Sequence, residues 1–152
     1  MPYAYRLTPA FCKIMADKIR LRVVTPSRQV LDEEVDEVTA PGELGEFGVL
    51  PNHIAFLSTL VPGELSYKQG AHKVILAISG GYAEVLDNVM TVLAPAAEFP
   101  AEIDAPRAQR AKESAEKLMA TLNPEEDDWK LAEAAYRRAA VRLLLAGKET
   151  RR

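Results

Sequence analysis

The stretch Phe99-Pro-Ala-Glu-Ile-Asp-Ala-Pro-Arg-Ala108 decides the fold, because the chemistry of the chain changes across it. Of the eight glycines, all but Gly147 precede it, together with most of the β-branched residues; alanine, leucine, glutamate, lysine and arginine dominate the C-terminal third. That is a change from strand-forming to helix-forming composition. Asp104 carries the short carboxylate that accepts hydrogen bonds from the free N–H groups of a helix start. Pro106 sits in the first turn, where a missing N–H removes no helical bond.

Toward the C-terminus, the spacing predicts a first helix from Asp104 to about Thr121, with Ala108, Ala111, Ala115, Leu118 and Leu122 forming a narrow apolar seam. Asn123-Pro-Glu-Glu126 breaks it and starts a second helix, with asparagine as cap, proline in the first turn and acids near the positive dipole end. Trp129, Ala132, Tyr136, Ala139 and Leu143 repeat the seam spacing, and Gly147 is a helix terminator. Two matching seams joined by a tight turn predict an antiparallel two-helix hairpin over residues 100–152. The seams are rich in alanine and bury little area, so at about 25 cal/mol per Å² the hairpin needs the preceding unit, a ligand or a partner to stay folded. An element with two similarly stable placements suits a switch.

Toward the N-terminus, Lys18-Ile-Arg-Leu-Arg-Val-Val24 alternates charged and apolar residues, the pattern of a strand with one wet face. Further strands are expected at Val35–Ala40, Phe56–Val61, Glu64–Lys68, Lys73–Ser79, Tyr82–Leu86 and Val89–Leu93, with connectors at Pro62-Gly63, Gln69-Gly70, Gly80-Gly81 and Asp87-Asn88. Short strands at close spacing with no intervening helix predict an antiparallel β-sandwich over residues 15–99. Residues 1–14 contain Arg6 and Lys13 but no acid and lie before a second methionine, Met15. They are expected to be a disordered extension without a fold of its own.

At 152 residues, 48% hydrophobic and 27% charged, the chain can form a small core plus an appendage. A formal net charge of -3 leaves no broad basic surface, which argues against nucleic acid as a partner. The single cysteine, Cys12, can form neither an internal disulfide nor a thiolate metal site. No apolar run approaches the roughly 20 residues that span a bilayer, so membrane contact is expected to be indirect.

Gly42-Glu-Leu-Gly45-Glu-Phe-Gly48 has the wrong spacing for a dinucleotide fingerprint and reads as glycines for tight turns. His53 and His72 have no ligand cluster beside them, and no serine, cysteine or threonine lies in a nucleophile motif. A small enzyme built around His53 and Glu46 would lack nucleophile, metal set and paired carboxylates; the chain reads as non-catalytic, with no metal and no required cofactor. Arg107 lies about sixteen residues before the turn at Asn123, and Arg138 and Arg142 about fifteen and nineteen after it. At about 1.5 Å per residue, antiparallel packing brings all three to one end of the hairpin. Two readings stand: a phosphate site beside a helix N-terminus, or a solvated basic face.

Three runs then carry a resemblance. Gly45-Glu-Phe-Gly-Val-Leu-Pro-Asn-His53, Ser79-Gly-Gly-Tyr-Ala-Glu-Val85 and Val89-Met-Thr-Val-Leu93, followed by Ile103-Asp-Ala-Pro-Arg-Ala108, resemble the epsilon subunit of F-type ATP synthases from about Lys18 to Lys148. The resemblance implies a rotary-motor subunit, peripheral on the cytoplasmic face of the bacterial inner membrane. Its sandwich would dock on the gamma subunit and the c-ring, with Glu46 at a c-ring contact, and couple proton or sodium flow to ATP synthesis. The hairpin would extend among the alpha and beta subunits to inhibit ATP hydrolysis, with Arg137, Arg138 and Arg142 meeting an acidic loop of beta. In some members the compact hairpin binds ATP as a regulatory ligand, and the matching positions are Glu98, Ile103, Asp104, Arg107, Ala108, Arg138 and Arg142. Ser114 stands where those members carry a further arginine. The alternative is a free-standing ATP-sensing module that uses the same arginines without a rotary partner.

Overall fold

The computed structural model describes residues 17–148, so the expected extension over residues 1–14 and Met15 lie outside it. Eight strands come first: β1 (Ile19–Val24), β2 (Gln29–Val35), β3 (Glu37–Gly42), β4 (Gly45–Val49), β5 (Phe56–Gln69), β6 (His72–Leu86), β7 (Val89–Leu93) and β8 (Ala97–Glu98). A 3-10 turn at Pro100–Glu102 leads into α1 (Ala105–Thr121) and α2 (Asp127–Leu145). The strands join in the order β2-β1-β7-β6-β5-β3-β4, with β8 on β6. Alternation decides what faces in: Ile19, Leu21 and Val23 of β1, Val38 and Ala40 of β3, and Met90 and Val92 of β7 all enter one core. A β-sandwich followed by two helices is therefore the architecture.

Three expectations need correction. Pairing is antiparallel except for β1 with β7, which run parallel through Leu21↔Met90 and Val23↔Val92. These two strands are far apart in sequence, so no hairpin dictates their direction. Pro62-Gly63 and Gly80-Gly81 are not connectors: β5 and β6 pass through them in one register, with Leu60 opposite Gly81 and Pro62 opposite Ser79. The glycines are there for close approach. A Cβ on Gly63 would lie 2.6 Å from Pro41 Cβ, and one on Gly81, at φ +120°, would lie 1.9 Å from the Leu93 carbonyl oxygen. Finally, the strand expected at Val35–Ala40 is divided at Asp36, and β2 extends back through Asp32-Glu-Glu34. Acidic residues are poor strand formers, but β2 is an edge, and Arg20 Nε lies 2.6 Å from Asp32 Oδ1 across its pairing with β1.

The glycine-rich run forms a β3–β4 hairpin closing at Gly42↔Gly45, with Gly45 at φ +125° and Leu44 fully exposed at the tip. Asp104 caps α1 as expected, its Oδ1 accepting from Arg107 N at 2.9 Å. The second helix starts later than its sequence suggests. Asn123 Oδ1 accepts from Glu125 N at 3.1 Å, which makes a turn of its own, and α2 begins at Asp127 behind Glu126. Gly147, at φ +80°, ends it in the left-handed conformation. In the helix seam Ala108 and Ala115 face Ala132 and Ala139, all buried. Ala111 and Leu118 are exposed, and Lys112 and Met119 lie half-buried instead. The Lys112 ammonium, 5.5 Å from the Tyr136 ring centre, lets a charged residue occupy that place.

Candidate functional site

The first half of β6 is buried on both faces. Leu76 and Ile78 enter the sandwich core, while Ile75 and Ala77 point outward and are covered by Leu145, with Val141 and Ile103 beside them. This second apolar cluster seats the hairpin on the sandwich. Ion pairs surround it: Glu64 Oε2 lies 3.3 Å from Lys148 Nζ, and Arg28 Nη2 lies 2.8 Å from Glu102 Oε1.

Next to the seat, sandwich and hairpin enclose a cleft of about 300 Å³ lined by Ala77, Ile78, Ser79, Ala96, Glu98, Arg107, Arg138 and Arg142. Antiparallel packing has brought the three arginines together, as helix geometry predicts. Each arrives by a different route. The Asp104 cap and Pro106 place Arg107 in the first turn of α1, while Arg138 and Arg142, one turn apart, come from the second half of α2. Arg142 grips Glu98 of β8: Nη2 donates to Oε1 at 2.8 Å and Nε lies 2.7 Å from Oε2, both side chains about three-quarters buried. Among the described residues, Arg107 and Arg138 make no ion pair. Three guanidinium groups thus face one carboxylate beside a helix N-terminus, an arrangement that favours an anion with several oxygens, such as a phosphate chain.

The remaining expected site residues lie elsewhere. Ile103 packs in the apolar cluster, the Asp104 carboxylate is engaged as the helix cap, and Ala108 is fully buried in the helix seam; none of the three lines the cleft. Ser114 is exposed on α1. Arg137 points away and pairs with Glu133 at 2.6 Å. Glu46 is exposed on β4 opposite Pro41, with the apolar tip residue Leu44 close by. Residue spacing does not reveal the cleft floor, Ala77, Ile78, Ser79 and Ala96. Only Ser79 leaves a trace, in the Ser79-Gly-Gly run: its hydroxyl accepts from Ala96 N at 2.8 Å and its own N–H donates to Ala96 O, holding the strand before β8 in place.

Residues 18–100 match the family model for the β-sandwich domain of the ATP synthase delta/epsilon chain, and residues 101–147 match that for its long α-helix domain. The chain belongs to this family. It is 49% identical over 138 residues, 91% of this chain and 100% of the other, to the ATP synthase epsilon chain of Geobacter metallireducens. It is 52% identical over 134 residues, 88% and 99%, to the ATP synthase epsilon chain of Syntrophobacter fumaroxidans. A chain in the OSCP/F1/c-ring structure of the Euglena gracilis mitochondrial ATP synthase superposes with a TM-score of 0.70 at 30% identity, covering 85% of this chain and 80% of that one. As a delta/epsilon chain it is a non-catalytic subunit of an ATP synthase. Among the described residues no helix is long and apolar enough to cross a membrane.

Proposed function

We propose that this delta/epsilon chain works as a mobile regulator on the central stalk of a bacterial rotary ATP synthase. The sandwich docks on the gamma subunit and the polar loops of the c-ring, with Glu46 on the ring side, and turns with them as ion flow drives ATP synthesis. The complex holds it at the cytoplasmic face of the inner membrane. The hairpin has a compact placement on the sandwich and an extended one among the alpha and beta subunits, where Arg137, Arg138 and Arg142 meet acidic groups and hydrolysis is inhibited. ATP, as a regulatory ligand, favours the compact placement by bridging Arg107 to Arg138 and Arg142.

The observation that carries this reading is the arginine cleft. It is made by the sandwich and the hairpin together, so a polyanion in it binds only the compact form and stabilises that form by its differential affinity. Calorimetric titration of the isolated chain with ATP is expected to give saturable binding, weakened at least about tenfold by Arg107→Ala, which removes a charge-assisted contact of about 1.5–3 kcal/mol. Absence of heat at millimolar ATP would remove the nucleotide from the scheme and leave the hairpin regulated by its protein contacts alone.

A further inference from the structure

We infer that the hairpin swings on a hinge confined to Ile103 and Asp104, and that Glu102 is the residue that fixes the preceding turn to the sandwich. The inference rests on the mobile hairpin of the proposed function and says where its motion begins.

Everything up to Glu102 is tied to the sandwich. Ala96 exchanges hydrogen bonds with Ser79, β8 pairs with β6 through Ala77↔Glu98 and Ile78↔Ala97, Phe99 packs on the sandwich core and Pro100 is buried. Glu102 then closes this unit with both carboxylate oxygens. Oε2 accepts from Phe99 N at 2.9 Å, folding the turn back on itself, and Oε1 accepts from Arg28 Nη2 at 2.8 Å, reaching the β1–β2 turn seventy-four residues away. The Phe99 N–H and the Arg28 guanidinium hold this carboxyl below its ordinary pKa, as expected for a group that is charged and engaged.

Everything from Asp104 onward belongs to the hairpin. Its carboxylate caps Arg107 N, its carbonyl accepts from Ala108 N at 2.9 Å, and Pro106 stiffens the first turn as Pro100 stiffens the turn before. Between the two capped units stands Ile103, in extended conformation at φ -74°, ψ 120°, with one backbone bond to Pro100 O at 3.4 Å. Its side chain packs against the apolar cluster that seats the hairpin. When Leu145 and Val141 leave that cluster, only Ile75 and Ala77 of β6 remain against Ile103, which loses the hairpin's share of its cover. Rotation then falls on the torsions between two rigid units, the usual form of a hinge made of a few element-terminal residues.

Spin-label distances on the full chain, with Cys12 replaced by serine, test this with two pairs: Glu84→Cys with Ala101→Cys, and Glu84→Cys with Arg110→Cys. Leu145→Asp puts a carboxylate into the apolar seat and undocks the hairpin. The 84–110 distribution is then expected to broaden while the 84–101 distribution keeps its parental width; adding Glu102→Ala broadens 84–101 as well, with the β-sheet circular dichroism of the sandwich retained. Broadening of 84–101 in Leu145→Asp equal to that of 84–110 would move the hinge upstream and overturn the inference while leaving the hairpin mobile. A narrow 84–101 distance in the Glu102→Ala background would take Glu102 out of the device. An 84–110 distance that stays narrow after Leu145→Asp would overturn the mobile hairpin itself, and the hinge with it.

Discussion

Gly81 and Glu102 show how much a single position can decide. Gly81 combines a φ of +120° with a Cβ direction that runs into the Leu93 carbonyl, so Gly81→Ala meets both a backbone penalty and a collision with main chain that cannot step aside. It is expected to lower sandwich stability by roughly 2–5 kcal/mol, measured as the shift of the urea midpoint at constant m-value. Glu102 makes a pH-dependent contribution with a definite sign. Its folded carboxyl titrates below the ordinary range because of the Phe99 N–H and Arg28, so its stabilisation is complete above the unfolded pKa and is lost as pH falls through the folded value. The stability difference between the parent chain and Glu102→Gln is therefore expected to be full near pH 6 and to shrink as pH falls below the ordinary glutamate range, read by thermal unfolding in parallel. The Asp104 cap was legible in the sequence because it acts within four residues. The role of Glu102 was not, since one of its partners, Arg28, lies across the molecule.

Helix ends and strand ends were legible wherever local chemistry decides them. Asp104, Pro106 and Gly147 act through their own backbone neighbours, and the alternation of Lys18–Val24 is a direct record of which face is buried. Pro62-Gly63 and Gly80-Gly81 misled for the same reason: turn residues and close-approach glycines have one composition, and only the partner strand distinguishes them. The helix seam drifted likewise, since Lys112 replaces Ala111 in the interface by laying its stem along the seam and its charge over Tyr136. At this scale the hairpin's hold on the sandwich depends on a small cluster in which Leu145 is fully buried. Leu145→Ala is expected to weaken docking by about 2–5 kcal/mol and to separate a low-temperature helical transition from an unchanged sandwich transition in circular dichroism.

For the whole molecule the consequence is a division of labour between a sandwich with a large shared core and a hairpin held by one small apolar seat, a largely buried Arg142–Glu98 pair and a peripheral Lys148–Glu64 ion pair. Ending the chain after Glu102 keeps the sandwich and its last turn. In the assembled ATP synthase this truncation is expected to raise ATP hydrolysis with assembly intact, measured by activity and by retention of the subunit in the purified complex. Unchanged hydrolysis would argue against inhibition by the hairpin. The sequence by itself determined the two-part architecture, the strand-to-helix change after Phe99, the antiparallel hairpin and the meeting of Arg107, Arg138 and Arg142, because periodicity, caps and helix rise are local or additive along the chain. Only the tertiary structure decided that β1 and β7 pair in parallel, that Ser79 and Ala96 of the sandwich line the arginine cleft, and that Arg28 reaches Glu102. These contacts join residues dozens of positions apart, and no local preference specifies which distant surfaces will face each other once apolar burial has folded the sheet around its core.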